Sequence, residues 1–166
     1  MQKFKQWITA ITLSLLSLPI AQADTLANIK AKGVLVAGVK DSLPPFGYVD
    51  AQTRNIIGYD VDFIRAIADK LGVKLELKPV TSANRIPQLT SGNIDIIAAT
   101  MTKTPERAQQ IDFSYAYFLT GQKFIAPKGK LRSLGDLAGK RIATAKGFDL
   151  GAKRETRCAQ RHGIVL

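Results

Sequence analysis

An α/β lobe built on a parallel sheet is the fold class this sequence predicts, on three observations. Apolar runs bounded by glycine, asparagine or charge, at residues 34–39 and 94–99, have the length and composition of strands buried on both faces. Between them Val61, Ile64, Ile67, Ala68 and Leu71 recur at helical spacing and make one apolar face. Strand, helix, strand, helix and strand then follow in chain order, which gives right-handed crossovers and puts ligands at the carboxyl ends of the strands. The loops after Val39, Val80 and Ala99 are therefore expected to line a pocket.

Taken in order, Lys3 and Lys5 precede an apolar run over residues 7–20 that ends in Ala21-Gln22-Ala23. This is the pattern of an export signal cleaved after Ala23, and the run is too short to span a bilayer comfortably. Of 166 residues, 143 remain beyond Ala23, enough for one ordinary domain and not two. Residues 25–32 read as a short helix and 34–39 as a strand, with a proline-stiffened loop over 42–48 and a polar turn over 50–55. Asp60 is expected to cap the next helix, Asp62 lies in its first turn, and Lys70 and Gly72 close it. Residues 74–79 alternate Leu75 and Leu77 with Glu76 and Lys78, as a half-exposed strand does. A second helix is expected over 86–91, ending at Gly92-Asn93.

The chain is basic, with 24 Lys and Arg against 13 Asp and Glu and a formal charge of +11. Its cations are scattered singly among apolar residues, without a basic helix face or interleaved aromatics, which argues against nucleic acid as a partner. One cysteine, Cys158, and one histidine, His162, supply neither an intramolecular disulfide nor a metal-ligand set, so no cofactor or metal is implied.

The chemistry concentrates after the run at 94–99. Thr100-Met101-Thr102-Lys103-Thr104-Pro105-Glu106-Arg107 leads from a buried strand into a helix, bringing hydroxyls, free amides and a guanidinium together. Amides at a helix start carry positive partial charge and arginine offers a planar fork, so the combination suits an α-carboxylate. Such a charge-assisted bond is worth about 1.5–3 kcal/mol. The alternative is that Thr104 caps the helix, Pro105 fills its first position, and Arg107 pairs with Glu106 or lies in solvent. Lys40, Ser82 and Arg85 stand in the other two loops, as ligand contacts or as a capping serine with two solvated cations.

Gly58-Tyr59-Asp60-Val61-Asp62-Phe63, followed by Ile67-Ala68 and Leu71, resembles the signature of the bacterial extracellular solute-binding proteins of family 3, the polar amino-acid receptors of ABC importers. The resemblance implies a periplasmic-binding-protein-like (type II) lobe and a monomer that closes over an amino acid in the periplasm and presents it to an inner-membrane permease. In that family the residues matching Thr100, Thr102 and Arg107 bind the amino acid's backbone groups. Residues 81–87 look like the corresponding loop of glutamate and aspartate receptors, where Ser82 and Arg85 would meet the ligand's side chain. Lys40 matches a cationic position of the same receptors, although they carry arginine there. Leu43 stands where many receptors for other polar amino acids place an aromatic, which disfavours a basic or long ligand. Asp112-Phe113-Ser114 also matches, residues 115–126 read as a crossover, and 133–144 resemble the opening helix and strand of a second lobe.

The expected organisation is thus a signal peptide over 1–23, a first lobe over 24–118, an incomplete second lobe over 119–147, and an aberrant tail without order over 148–166. The expected ligand is glutamate, aspartate or another polar amino acid, with the chain inactive as truncated. Two other classes compete. One is an enzyme of the same fold, lytic or dehydratase-like, for which Asp60 and Asp62 are the only close carboxylate pair in the body of the chain, but their side chains diverge. The other is a periplasmic sensor domain, disfavoured because no spanning segment follows. The tail itself is expected to be a frameshift product. With suitable codons, residues 148–165 read one nucleotide later give Ser-Thr-Ser-Glu-Gln and onward, restoring the hydroxyl loop that relatives carry after this glycine.

Overall fold

The computed structural model describes residues 24–121, 123–144 and 146–147, and the backbone of 160–165. The signal segment, its cleavage after Ala23, and Cys158 lie outside the described residues. No helix among the described residues is long and apolar enough to cross a membrane.

Helix α1 (Thr25–Lys32) starts where the Asp24 carboxylate accepts from the amides of Leu26 and Ala27, and stops at Gly33, whose φ of 69° few other residues tolerate. Strand β1 (Val34–Val39) follows, paired on both sides within the larger sheet. Next comes a small antiparallel sheet of β2 (Ser42–Leu43), β3 (Gly47–Val49) and β4 (Ile56–Ile57), with a cis peptide between Pro44 and Pro45 in the loop expected to be stiffened by proline. Helix α2 (Tyr59–Leu71) buries Val61, Ile64 and Ala68, with Ile67 half-buried against the same core.

Beyond α2 lie β5 (Lys74–Pro79), α3 (Arg85–Thr90), β6 (Ile96–Ala98), α4 (Pro105–Ala108) and β7 (Phe113–Thr120). The five-stranded sheet has the order β5-β1-β6-β8-β7, where β8 is Gln160–Val165. β5, β1 and β6 are parallel, as the alternation of strands and helices requires. Ile29, Leu35, Ala37, Val39, Ile96 and Ala98 pack with α2 on one face; Val80, Ile94, Ile97, Met101 and Ile111 form a second cluster.

Two expectations are corrected, and a third gains detail. Asp60 is not the helix cap: the cap position is Gly58, without a side-chain bond, and the amides of Tyr59 and Asp60 donate instead to the carbonyls of Pro45 and Phe46, both at 2.9 Å. Residues 115–120, within the segment read as a crossover, form the greater part of β7, which extends the sheet. The tail is not orderless throughout, since 160–165 form β8, antiparallel to β7 and touching β6 at Ile97↔Val165. Main-chain pairing carries that strand, and so an apolar pattern in the sequence was not needed to make it. Further back, Leu134–Leu137 form a 3₁₀ turn closed by a Ser133–Asp136 capping box, where the second lobe was expected to open.

Gly58 follows from the way α2 begins. It holds φ 133°, and a Cβ there would lie 2.5 Å from the Phe46 carbonyl oxygen and 2.7 Å from that of Pro45. Gly58→Ala is expected to cost about 1–3 kcal/mol, read as a lower urea midpoint with the slope unchanged; an unaltered midpoint would contradict this account of the helix start.

Candidate site at the carboxyl ends of the parallel strands

Each predicted site residue sits in a loop leaving the carboxyl end of a parallel strand or in the helix that the loop leads into. Lys40 directly follows β1. Ser82 stands in the turn after β5, which is closed reciprocally by Asn84 Oδ1 accepting from the Thr81 amide at 2.8 Å and Thr81 Oγ1 accepting from the Asn84 amide at 3.1 Å. Arg85 opens α3. Thr100 leaves β6 in a left-handed conformation, φ 48°, unusual for a residue with a branched Cβ. Arg107 lies in α4, capped as expected by Thr104, whose hydroxyl accepts from the Arg107 amide at 3.3 Å.

The side chains converge. Lys40 Nζ donates to Ser82 Oγ at 2.9 Å, so this serine serves the lysine rather than capping a helix. Arg85 Nη1 donates to the Ala99 carbonyl at 2.6 Å, and its Nη2 approaches that of Gly147 at 3.4 Å. Arg107 Nη1 donates to the Thr102 carbonyl at 2.8 Å and its Nη2 to Gly147 at 3.0 Å. One carbonyl oxygen therefore takes both guanidinium groups. Gly147, at φ 84°, lies so close to the Ser82 carbonyl that a Cβ would collide with it. The Thr100 hydroxyl turns back to the Ala99 carbonyl at 2.8 Å, while Thr102 meets Arg107 through its main chain.

Lys40 and Arg85 are only 7% and 4% exposed. Among the described residues the ion pairs lie elsewhere, at Lys32–Asp95, Arg65–Asp62 and Lys78–Glu76. Burial, aided by the neighbouring Arg85 charge and opposed by Asp41, pushes the Lys40 ammonium down to about 8. Burial and the Arg107 charge push the Arg85 guanidinium down to about 10. Among the described residues the buried Arg85 Nε has no hydrogen-bond partner. A concentration of positive charge with no carboxylate in ion-pair distance among the described residues, and with a donor they leave unused, has the chemistry to accept an anion.

Sequence reasoning missed Asp60 and Tyr117. Asp60 is wholly buried; its Oδ2 accepts from the Thr100 amide at 3.0 Å and its Oδ1 from the Tyr117 hydroxyl at 2.8 Å. Burial raises the carboxyl above its ordinary range, against the pull of those two hydrogen bonds. The Tyr117 phenol is raised by burial and by the Asp60 charge. A signal was present, since Asp60 lies four and eight residues before Ile64 and Ala68 and so on the apolar face of α2. It was read as a cap. Among the described residues no three His, Cys, Asp or Glu gather as a metal site would require.

Residues 35–154 match the model of the bacterial extracellular solute-binding proteins, family 3. The glutamine-binding protein of Geobacillus stearothermophilus is 43% identical over 132 residues, which are 76% of this chain and 50% of that protein. The glutamate/aspartate import solute-binding protein of Escherichia coli is 34% identical over 155 residues, 84% of this chain and 51% of that one. The chain thus spans about half the length of the curated relatives it matches. Among solved structures, an ancestral amino acid-binding protein described as a precursor of cyclohexadienyl dehydratase superposes with a TM-score of 0.65 at 37% identity, over 69% of this chain and 52% of that one. The arginine-bound form of domain 1 from TmArgBP superposes with a TM-score of 0.58 at 31% identity, over 84% of this chain and 83% of that one.

The buried lysine gives the site a pH signature. With a folded value near 8 and an ordinary value of 10.5, Lys40 holds its proton longer in the unfolded chain than in the folded one. The cost of burying its charge is fully present below pH 8, so stability is expected to rise with pH between about 8 and 10.5. Thermal unfolding across that window should show a smaller rise in Lys40→Met than in the parent; parallel curves would place the ammonium in solvent.

Proposed function

The chain belongs to the bacterial extracellular solute-binding proteins, family 3, and we propose that it is the periplasmic substrate-binding component of an amino-acid ABC importer, with glutamate or aspartate as ligand. The observation that carries this reading is the burial of Lys40 and Arg85 with no carboxylate in ion-pair reach among the described residues. A cation held out of water is stabilised by a bound anion, and that stabilisation becomes binding energy for the anion alone. Arg107 takes the α-carboxylate together with the amides and hydroxyls of the Thr100–Thr102 stretch. Lys40, Ser82 and the unused Nε of Arg85 take the side-chain carboxylate. The Gly147 carbonyl, shared by the two guanidinium groups, occupies the place of a ligand oxygen, and the amino acid displaces it.

Residues 24–118 then act as the ligand-holding lobe and 119–147 as the start of its partner, with closure presenting the complex to an inner-membrane permease. The Escherichia coli relative named for glutamate and aspartate import supports the acidic ligand. The relatives from Geobacillus stearothermophilus and Bacillus subtilis named for glutamine favour a second reading, in which the side-chain subsite takes an amide. A neighbour consisting of domain 1 alone is in its arginine-bound form, which supports a single lobe holding an amino acid and weighs against inactivity of this chain. The catalytic alternative draws nothing from Asp60, both of whose carboxylate oxygens are already engaged.

Calorimetric titration of the chain with glutamate, aspartate, glutamine and arginine separates these readings. Glutamate or aspartate is expected to bind at least about tenfold more tightly than glutamine, a difference of about 1.4 kcal/mol; glutamine binding equally well would establish the amide reading instead. Lys40→Met should weaken the acidic ligands by about tenfold and leave glutamine within about threefold. Arg107→Lys, which loses the planar fork, should weaken every amino acid alike by about tenfold. Selective loss of one ligand in Arg107→Lys would move that residue from the shared groups to the side chain.

A further inference from the structure

We propose that Asp60 and Tyr117 are a positioning pair: by holding the Thr100 amide they fix the left-handed turn after β6 and thereby the presentation of the Thr100–Thr102 stretch and of Arg107. Neither is offered as a ligand contact. The inference rests on the reading of that stretch as the α-carboxylate site and adds to it the residues that set its shape.

The argument starts from cost. Asp60 is wholly buried, and burial raises its carboxyl, so a hydrophobic residue of similar size would stabilise the lobe more cheaply. What the carboxylate supplies is direction. Thr100 has φ 48°, a conformation about 1–2 kcal/mol unfavourable for an L residue with a side chain, and its amide faces Asp60 Oδ2 at 3.0 Å. That bond fixes the peptide from which Thr100, Met101 and Thr102 run on to the carbonyl that receives Arg107 Nη1 at 2.8 Å.

Tyr117 fixes the carboxylate in turn, with its hydroxyl on Oδ1 at 2.8 Å. It sits in an irregularity of β7: the ladder to β8 shifts register between Ala116 and Phe118, as a bulge does when it re-aims a side chain. Its ring stacks on Phe63 at 5.0 Å and Tyr59 at 6.0 Å, and the Tyr59 hydroxyl donates to the Tyr117 carbonyl at 3.3 Å. The helix that carries Asp60 therefore also carries the aromatics that place Tyr117.

The test is amide hydrogen exchange at Thr100 combined with glutamate titration of the purified chain. In the parent the Thr100 amide is expected to exchange slowly. Asp60→Asn keeps an oxygen for that amide and should retain both slow exchange and affinity within about threefold. Asp60→Leu, similar in size but without an acceptor, should expose the amide and lower affinity by tenfold or more. Tyr117→Phe leaves the ring in its stack and should accelerate Thr100 exchange at least threefold, which decides the matter if Asp60→Leu does not fold. Unchanged Thr100 exchange in Tyr117→Phe and Asp60→Leu, or equal loss of affinity in Asp60→Asn and Asp60→Leu, overturns the proposal. If the parent binds no amino acid the ligand reading fails, while exchange at Thr100 still reports whether the pair sets the turn.

Discussion

Two cations, Lys40 and Arg85, lie within the lobe where water cannot hydrate them well and where, among the described residues, no carboxylate comes within ion-pair distance. This constraint organises everything around it. The lobe meets it with neutral acceptors: a serine hydroxyl for Lys40, and the carbonyls of Ala99 and Gly147 for Arg85. Carbonyl dipoles satisfy hydrogen bonds but cancel little charge, and burial together with the neighbouring cation holds each group well below its ordinary value. Folding thus leaves a positive site, and on the proposed function an entering anion would offset its electrostatic cost. The basic composition contributes little to this, because most of the cations are scattered and solvated, and what matters is which of them are buried.

Asp60 sharpens the point. It is a wholly buried carboxylate in the same lobe, yet its two oxygens are given to a backbone amide and a phenol, and no cation lies within ion-pair distance among the described residues. The positive charge is left without an ion-pair partner among the described residues, and the negative charge is engaged by a backbone amide and a phenol. Had Asp60 paired with Arg85, the pair would have been self-neutralising, and an incoming carboxylate would have met a salt bridge to break.

Much of the lobe was legible in the residues because its signals are local. The apolar face of α2, the glycines ending α1 and α2, and the Thr104-Pro105 start of α4 each depend on a few neighbours in sequence, and each appears where the pattern puts it. The six candidate site residues were found by their place after strands and by resemblance, and the fold gathers them because parallel strands deliver their loops to one end. Asp60 was misread because its signals conflict. An acidic residue next to a helix start has two physical uses, and only the distant contacts with Thr100 and Tyr117, 40 and 57 residues away, decide between them. The cap was unnecessary because carbonyls of the Pro45–Phe46 segment already satisfy the first amides of the helix.

The strand at 160–165 was illegible for a different reason, and it bears on the site. β7 joins the five-stranded sheet through β8, its one neighbour in the strand order. The bulge that turns Tyr117 toward Asp60 is an irregularity in that pairing, so backbone contributed by residues 160–165 takes part in setting a side chain next to the loop after β6. A main-chain ladder is indifferent to most side-chain identities. Residues with no apolar alternation can therefore pair there, and hydrophobic pattern alone does not reveal them. Tyr117 is consequently fixed from two sides, by α2 through its aromatic stack and by β8 through the ladder. The position of the turn after β6 is then a property of the whole sheet, including the strand farthest from it in sequence.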